Sequence, residues 1–326
     1  MELTTVAQQV VSSHEIESSM NTNNKFIEAN TQQVTLSHLK KDCIIPVFAK
    51  DNENTIPHFE FIDAVRETAQ RLFPEGDLTV PNIRTSHIIK GRIPSAIGKP
   101  AKELLDHEKT IYYERMAFMM EIPHVNSYIN NQKLNLTVGG VRSYSEQNLF
   151  SKKSIEKFKI FIGFKNMVCC NLCIATDGLK DDLRVSSLEE LKSKAKDLFL
   201  SYDEESHIAS MRDLNTMVIS QDEFSHLIGK MKLYHHLDKS LKKNLFELKT
   251  TDSQINTIVK NYVDDDNFKA DTEGLINLWS LYNLFTESAK SNYIDNFLSR
   301  NRNAYEFINH LSKSIKQQSP NWFLQH

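Results

Sequence analysis

The chain has 326 residues, 40% of them hydrophobic and 25% charged, with 39 Lys and Arg against 42 Asp and Glu for a net charge of -3. This balance describes a globular chain of one large or two smaller domains, and it excludes a collagenous, wholly disordered or uniformly basic protein. Any nucleic-acid site must then be a local basic patch. No stretch approaches the roughly 20 apolar residues of a membrane span. Met1–Asn24 has neither a Lys or Arg nor the apolar core of a signal peptide. A cytoplasmic protein without a membrane partner is expected.

Residues 1–38 are rich in Gln, Asn, Ser and Thr without sustained periodicity, which predicts a mobile polar tail. A short strand is expected at Cys43–Phe48. A helix follows, with Thr55 as cap, Pro57 in its first turn, and Phe61, Ile62, Val65, Ala69 and Leu72 at helical spacing before Pro74-Glu75-Gly76. Asn82–Lys102 holds Arg84, Lys90, Arg92, Lys99 and Lys102 with no acidic residue, and its prolines and glycines suggest a strand running into an extended loop. Ile111–Ile122 is partly apolar on both alternating faces, as in a central strand. Leu134–Val138 continues the sheet, and Gly139-Gly140 marks a bulge or a close backbone approach.

In Lys157–Lys165 the side chains alternate, so Phe158, Ile160, Ile162 and Phe164 face a core while Lys157, Lys159, Phe161 and Lys165 face the other way. After Gly178 the period changes from two to 3.6. Helices are expected from Ser187, where Ser187-Leu188-Glu189-Glu190 resembles a capping box, to Leu200, and over 206–219, 221–231, 252–263, 275–288 and 294–315. Strands first and helices afterwards predict an α+β fold, with an antiparallel sheet covered on one face by helices. The expected division is 1–38 tail, 39–180 mainly β with one early helix, and 181–326 helical.

Cys169, Cys170 and Cys173 fall in one expected strand where neighbours point to opposite faces, so buried thiols are expected rather than a metal cage or a disulfide framework. No cofactor is implied. Paired hairpins would bring Arg115 onto the face of Lys157, Lys159 and Phe161, with Arg142 near its edge. Cations neutralise phosphates and exposed rings stack on bases, so this face, with the loop cations Arg84, Lys90 and Arg92, suits single-stranded nucleic acid. A charged, solvated sheet face is the plain alternative. On Leu278–Thr286, the residues Trp279, Tyr282, Asn283 and Thr286 share one helical stripe, where a satisfied core asparagine that fixes packing is expected.

Catalytic signatures such as a Walker sequence, His-Glu-x-x-His or Gly-x-Ser-x-Gly are missing. Asp106-His107-Glu108 and Asp264-Asp265-Asp266 read as solvated acidic runs, and Tyr112-Tyr113 as strand residues. A metal-dependent nuclease or hydrolase using Glu114 or the Asp264 run would show a pocket gathering two carboxylates and a lysine. A protein-interaction factor, for assembly or against host defence, is the remaining alternative.

Seven segments carry a family resemblance: Gly91-Arg92-Ile93-Pro94, Tyr112–Met116, Gly139-Gly140-Val141, Phe161–Phe164, Asn171-Leu172-Cys173, Asn277–Thr286 and Asn321-Trp322-Phe323. Together they resemble the domain of unknown function 3871 family of Bacteroidetes chromosomes and mobile elements. More distantly, the Trp279–Thr286 helix is similar to uncharacterised phage- and plasmid-encoded proteins. The resemblance implies a setting in which contact with DNA or a DNA-processing protein is expected. It supplies no catalytic residue.

Overall fold

The computed structural model describes residues 25–43, 55–96, 98–146 and 155–324. In chain order the elements are β1 (Gln32–Val34), α1 (Leu36–Lys41), α2 (His58–Leu72), β2 (Asn82–Thr85), β3 (Ile88–Arg92), β4 (Lys109–Tyr113), β5 (Arg115–Ile129), β6 (Gln132–Ser143), β7 (Glu156–Asn166), β8 (Leu172–Cys173) and β9 (Leu179–Val185). Then follow α3 (Leu188–Ser201), α4 (Glu204–Leu214), β10 (Val218–Ile219), α5 (Gln221–His236), α6 (Lys239–Lys242), α7 (Asp252–Asp264), β11 (Ile276–Asn277), α8 (Leu278–Ala289) and α9 (Ile294–Gln317). The fold class is α+β.

The main sheet is antiparallel, in the order β1-β2-β5-β6-β7, with both β8 and β9 pairing with β7. Alternation sends Met116, Phe118, Met120 and Ile122 of β5, Leu134, Leu136 and Val138 of β6, and Phe158, Ile160, Ile162 and Phe164 of β7 into one large core. Helix α2 lies on this face, where the ring of Phe61 meets Phe118 and Phe158 edge-on at 5.1 and 4.8 Å. Helix α8 is buried on nearly every side, as its all-round apolar sequence requires. It starts where Asn277 Oδ1 accepts from Ser280 N at 2.7 Å, so Ile276 and Asn277 stay extended and pair with Val218 and Ile219.

Several expectations change. The span 25–38, assigned by composition to the tail, carries β1 and the start of α1, and Phe26 and Ile27 are buried; residues 1–24 lie outside the described residues. Of the expected strand Cys43–Phe48, only Cys43 is described, bridging to Ile111. Helix α2 begins after Pro57, and Thr55 makes no cap. The long strand expected over 111–122 is broken at Glu114: β4 pairs with β3 in a separate ribbon while β5 joins the main sheet. Ser187 caps α3 by accepting from Glu190 N, but the Glu190 carboxylate reaches back to Ser186 instead, which completes only half of a capping box.

The expected strand through the cysteines turns at 167–170. Cys170 takes a positive φ of 59° there, and β8 resumes two residues later. All four cysteines are free, with Cys170 and Cys173 buried.

Candidate functional site

The sheet face expected to be open is covered. Ile294, Phe297 and Leu298, from the first turns of α9, pack with Phe26 and Ile27 against Ala117, Met119, Val141, Phe161, Leu172, Ile174 and Leu179, forming a second apolar cluster behind the sheet. Phe161 is only 1% exposed and cannot stack on a base. The face alternates as the sequence predicts, but the apolar residues between its cations drew a helix onto it.

Its cations are answered one by one. Lys157 Nζ lies 3.0 Å from Glu146 and 3.5 Å from Asp182. Lys159 Nζ donates to Glu146 at 2.6 Å and to the Asp295 carbonyl at 2.7 Å. Lys165 pairs with Glu121 at 2.6 Å, and Arg115 Nε with Asp295 at 2.7 Å. Burial pushes the Glu146 carboxyl up, but its hydrogen bonds to the two lysines prevail and leave it below the usual range.

The other arginines are internal. Arg84 is buried and donates to the Thr31 hydroxyl at 3.0 Å and the Thr31 carbonyl at 2.8 Å. Arg142 is 1% exposed, sandwiched 4.6 Å from the Tyr144 ring and 4.4 Å from the Phe158 ring, and it donates to Glu156 and the Ile56 carbonyl. Burial lifts the Glu156 carboxyl above the usual range even with the Arg142 charge against it. Removing either partner would strand a buried charge. Arg142 therefore serves the core and not the sheet edge expected for it.

Lys90 and Arg92 are placed differently. In the β3–β4 ribbon Lys90 lies opposite Ile111 and Arg92 opposite Lys109, and opposite residues share a face, so Lys90, Arg92 and Lys109 come together on one side. Lys90 is exposed. The Arg92 guanidinium holds the connecting loop through the Lys99 carbonyl, and Lys109 reaches the exposed Asp106 at 2.7 Å. Lys99 pairs with Glu108, while Lys102 stands exposed in the loop.

The stripe on α8 is wholly internal. Asn283 donates to the Trp279 carbonyl at 2.9 Å and accepts from Asn166 and Asn171, each at 3.3 Å. Trp279 Nε1 and Asn166 Nδ2 converge on Gln132 Oε1 at 3.1 and 2.9 Å. Thr286 donates back to the Tyr282 and Asn283 carbonyls. This amide network ties α8 to β6 and to the β7–β8 turn.

Among the described residues no group of three or more His, Cys, Asp or Glu side chains is arranged to hold a metal ion. Asp265 of the Asp264 run accepts from the backbone N–H groups of Asn267 and Phe268, a turn role. Glu114 lies beside Arg115 at 3.6 Å.

Sequence reasoning missed a cavity of about 480 Å³ where the β8–β9 turn, α4 and α9 meet. It gathers Asp177, Asp203 and Lys313, two carboxylates and a lysine, together with His207, Ser210 and Asn309. Glu114 and the Asp264 run, singled out for a hydrolase, are not part of it. The only signal in the sequence is the spacing of Tyr305, Asn309 and Lys313 along one helical stripe.

No helix among the described residues is long and apolar enough to cross a membrane. No curated protein and no solved structure matches the chain. A family model described as "Domain of unknown function, B. Theta Gene description (DUF3871)" matches residues 7–324, and the chain belongs to that family.

Proposed function

We propose that this protein binds nucleic-acid backbone, single-stranded DNA in the first place, through the basic face of the β3–β4 ribbon. The observation that carries the reading is the register that aligns Lys90, Arg92 and Lys109 on one side of a two-stranded ribbon outside the main sheet. Residues 88–109 hold five Lys and Arg against three Asp and Glu, in a chain whose net charge is -3. A local cationic element of this kind attracts a polyphosphate strand by releasing its counterions. Ile88, 43% exposed, and the exposed Lys102 extend the contact surface. The mobile-element setting implied by the family resemblance supports a role beside DNA. Lys157, Lys159 and Phe161 are not part of this interface, because the two lysines are largely enclosed against Glu146 and the ring is covered, whereas the Lys109–Asp106 pair is open to solvent and can exchange Asp106 for a phosphate.

Filter binding of labelled single-stranded DNA across a salt series tests the reading. The expected result is affinity that falls with salt, and a slope of log K against log salt that flattens by about 1.4 when Lys90→Gln and Lys109→Gln remove two phosphate contacts. Lys157→Gln with Lys159→Gln should leave the slope unchanged. No binding at low salt, or a slope indifferent to the ribbon pair, refutes the proposal.

A further inference from the structure

The cavity at the β8–β9 turn is built from three segments far apart in the chain: residues 175–177, 203–210 and 305–313. Its charges are separated. Thr176 Oγ1 donates to Glu306 at 3.1 Å, which fixes Asp177 beside the Tyr305 end of α9. Asp203 joins that end by donating its backbone N–H to Asp177 Oδ2 at 2.9 Å. Lys313 stands two turns further along the same stripe, about 12 Å away at 1.5 Å rise per residue.

Between the two ends runs a chain of neutral hydroxyls and amides. Tyr305 donates to Ser210 at 3.0 Å, and Ser210 to Asn309 Oδ1 at 2.8 Å. Asp203 spends both oxygens on Ser206, at 3.0 Å to its N–H and 2.7 Å to its hydroxyl, so the free carboxylate capacity at this end lies mainly with Asp177. Lys313 is exposed where it lines the far end of the cavity.

His207 lines the cavity and is only 2% exposed. Its Nδ1 lies 2.6 Å from the Tyr202 hydroxyl, and Nε2 has no partner among the described residues. Burial keeps the Tyr202 phenol protonated and the imidazole neutral, its pKa lowered to about 3. With the phenol donating to Nδ1, the ring proton sits on Nε2 and only one polar group goes unmet. The reverse arrangement would leave both the phenol proton and the Nε2 lone pair unmet. A neutral donor in the wall adds no charge to either end.

We propose that this cavity binds a short free peptide of three to four residues, its terminal ammonium against Asp177 and Asp203 and its terminal carboxylate against Lys313. An extended chain advances about 3.3–3.6 Å per residue, so three to four residues span the separation of the two ends. Asn309 spends one amide proton on the Tyr305 carbonyl at 3.0 Å and keeps the other for a peptide carbonyl, and Ser210, its own proton spent on Asn309, keeps an acceptor lone pair for a peptide N–H, while His207 stays enclosed behind them. A single amino acid is too short to reach both charges, and a sugar, whose hydroxyls can hydrogen-bond at either end, brings no countercharge to them.

Isothermal titration with tetraalanine, its N-acetylated form, its C-amidated form and glucose tests the proposal on the full chain. Tetraalanine is expected to bind, with each capped form weaker by roughly tenfold, the loss for one charge-assisted contact. Asp177→Asn keeps the acceptor for Asp203 N–H and should abolish the penalty of N-acetylation while leaving that of amidation. Lys313→Gln should do the reverse. No heat of binding from tetraalanine, equal affinity for the capped forms, or glucose binding in its place overturns the proposal.

Discussion

His58 and His207 are two residues that make stability depend on mild acid. Burial lowers both pKa values from 6.5 to about 3, helped at His58 by the nearby Arg142 charge. Below the ordinary histidine pKa the unfolded chain takes up protons that the native state refuses. The stability these residues contribute is therefore complete above about pH 6.5 and is lost as the pH falls towards 3, at about 1.4 kcal/mol per pH unit for each. Urea denaturation at about pH 7 and about pH 5 should show His207→Gln losing less stability than the parent chain by one proton's share of that slope. Equal slopes would mean that His207 is protonated in the native state. The same burial explains why so little of the candidate chemistry was legible residue by residue. The sequence shows Lys157, Lys159 and Phe161 opposite the core-facing Phe158, but the carboxylates that answer the lysines, Glu146 and Asp182, approach from separate segments.

At the scale of elements, β6 owes its position to two glycines. Gly139 lies opposite Met119 and Phe161, and Gly140 opposite Phe118 and Ile160. A Cβ on Gly140 would come within 2.5 Å of Phe61 Cζ and 2.6 Å of the Lys159 carbonyl, so α2 can sit on the sheet only because that side chain is missing. Gly140→Ala must push the α2 ring or the β7 backbone away, with an expected cost of about 1–3 kcal/mol in chemical denaturation. Gly229→Ala, in α5 where an added Cβ meets nothing, should instead be neutral or stabilising by up to about 1 kcal/mol. If the two alanines behaved alike, the close packing of α2 on β6 would not be what the glycine serves. The glycine pair was legible as an anomaly and open between two meanings. The close approach is the one realised, because the register shift of the β5–β6 pair falls between Ile122 and Asn126 instead. Helices were legible where apolar periodicity is sustained, as over 252–263 in α7, whose cap the structure assigns to Thr251. They misled at 218–219 and 276–277, where a two-residue strand pair interrupts helical spacing and depends on a partner some 60 residues away. The division of β4 from β5 was equally hidden, since alternation runs through Glu114 unbroken while the pairing partner changes.

For the whole molecule the decisive element is α9, which belongs to both apolar clusters. Its first turns supply Ile294, Phe297 and Leu298 to the cluster behind the sheet, and its later turns supply Ala304, Phe307, Ile308 and Leu311 to the main core. A single helix thereby joins the two faces of the sheet, and a face that would otherwise be open and basic becomes an internal surface. The α+β class was legible because strands and helices segregate along the chain. This closure was not, because the pattern of a sheet face shows what it needs to bury but not which distant helix buries it. Phe297 tests the coupling. Its ring meets Phe26 edge-on at 5.8 Å and is almost fully buried, so Phe297→Ala is expected to cost about 3–5 kcal/mol. Both tryptophans report the main core, on the other side of the sheet, by their fluorescence: Trp279 lies within it and Trp322 packs against it. If α9 makes the clusters one cooperative unit, the midpoint followed by tryptophan fluorescence shifts with the midpoint followed by far-UV circular dichroism. If the tryptophan transition stays in place while only part of the dichroism moves, the second cluster unfolds separately and α9 does not link the two faces. Val263→Ala supplies the control, since a side chain 66% exposed on α7 should change stability by no more than about 0.5 kcal/mol.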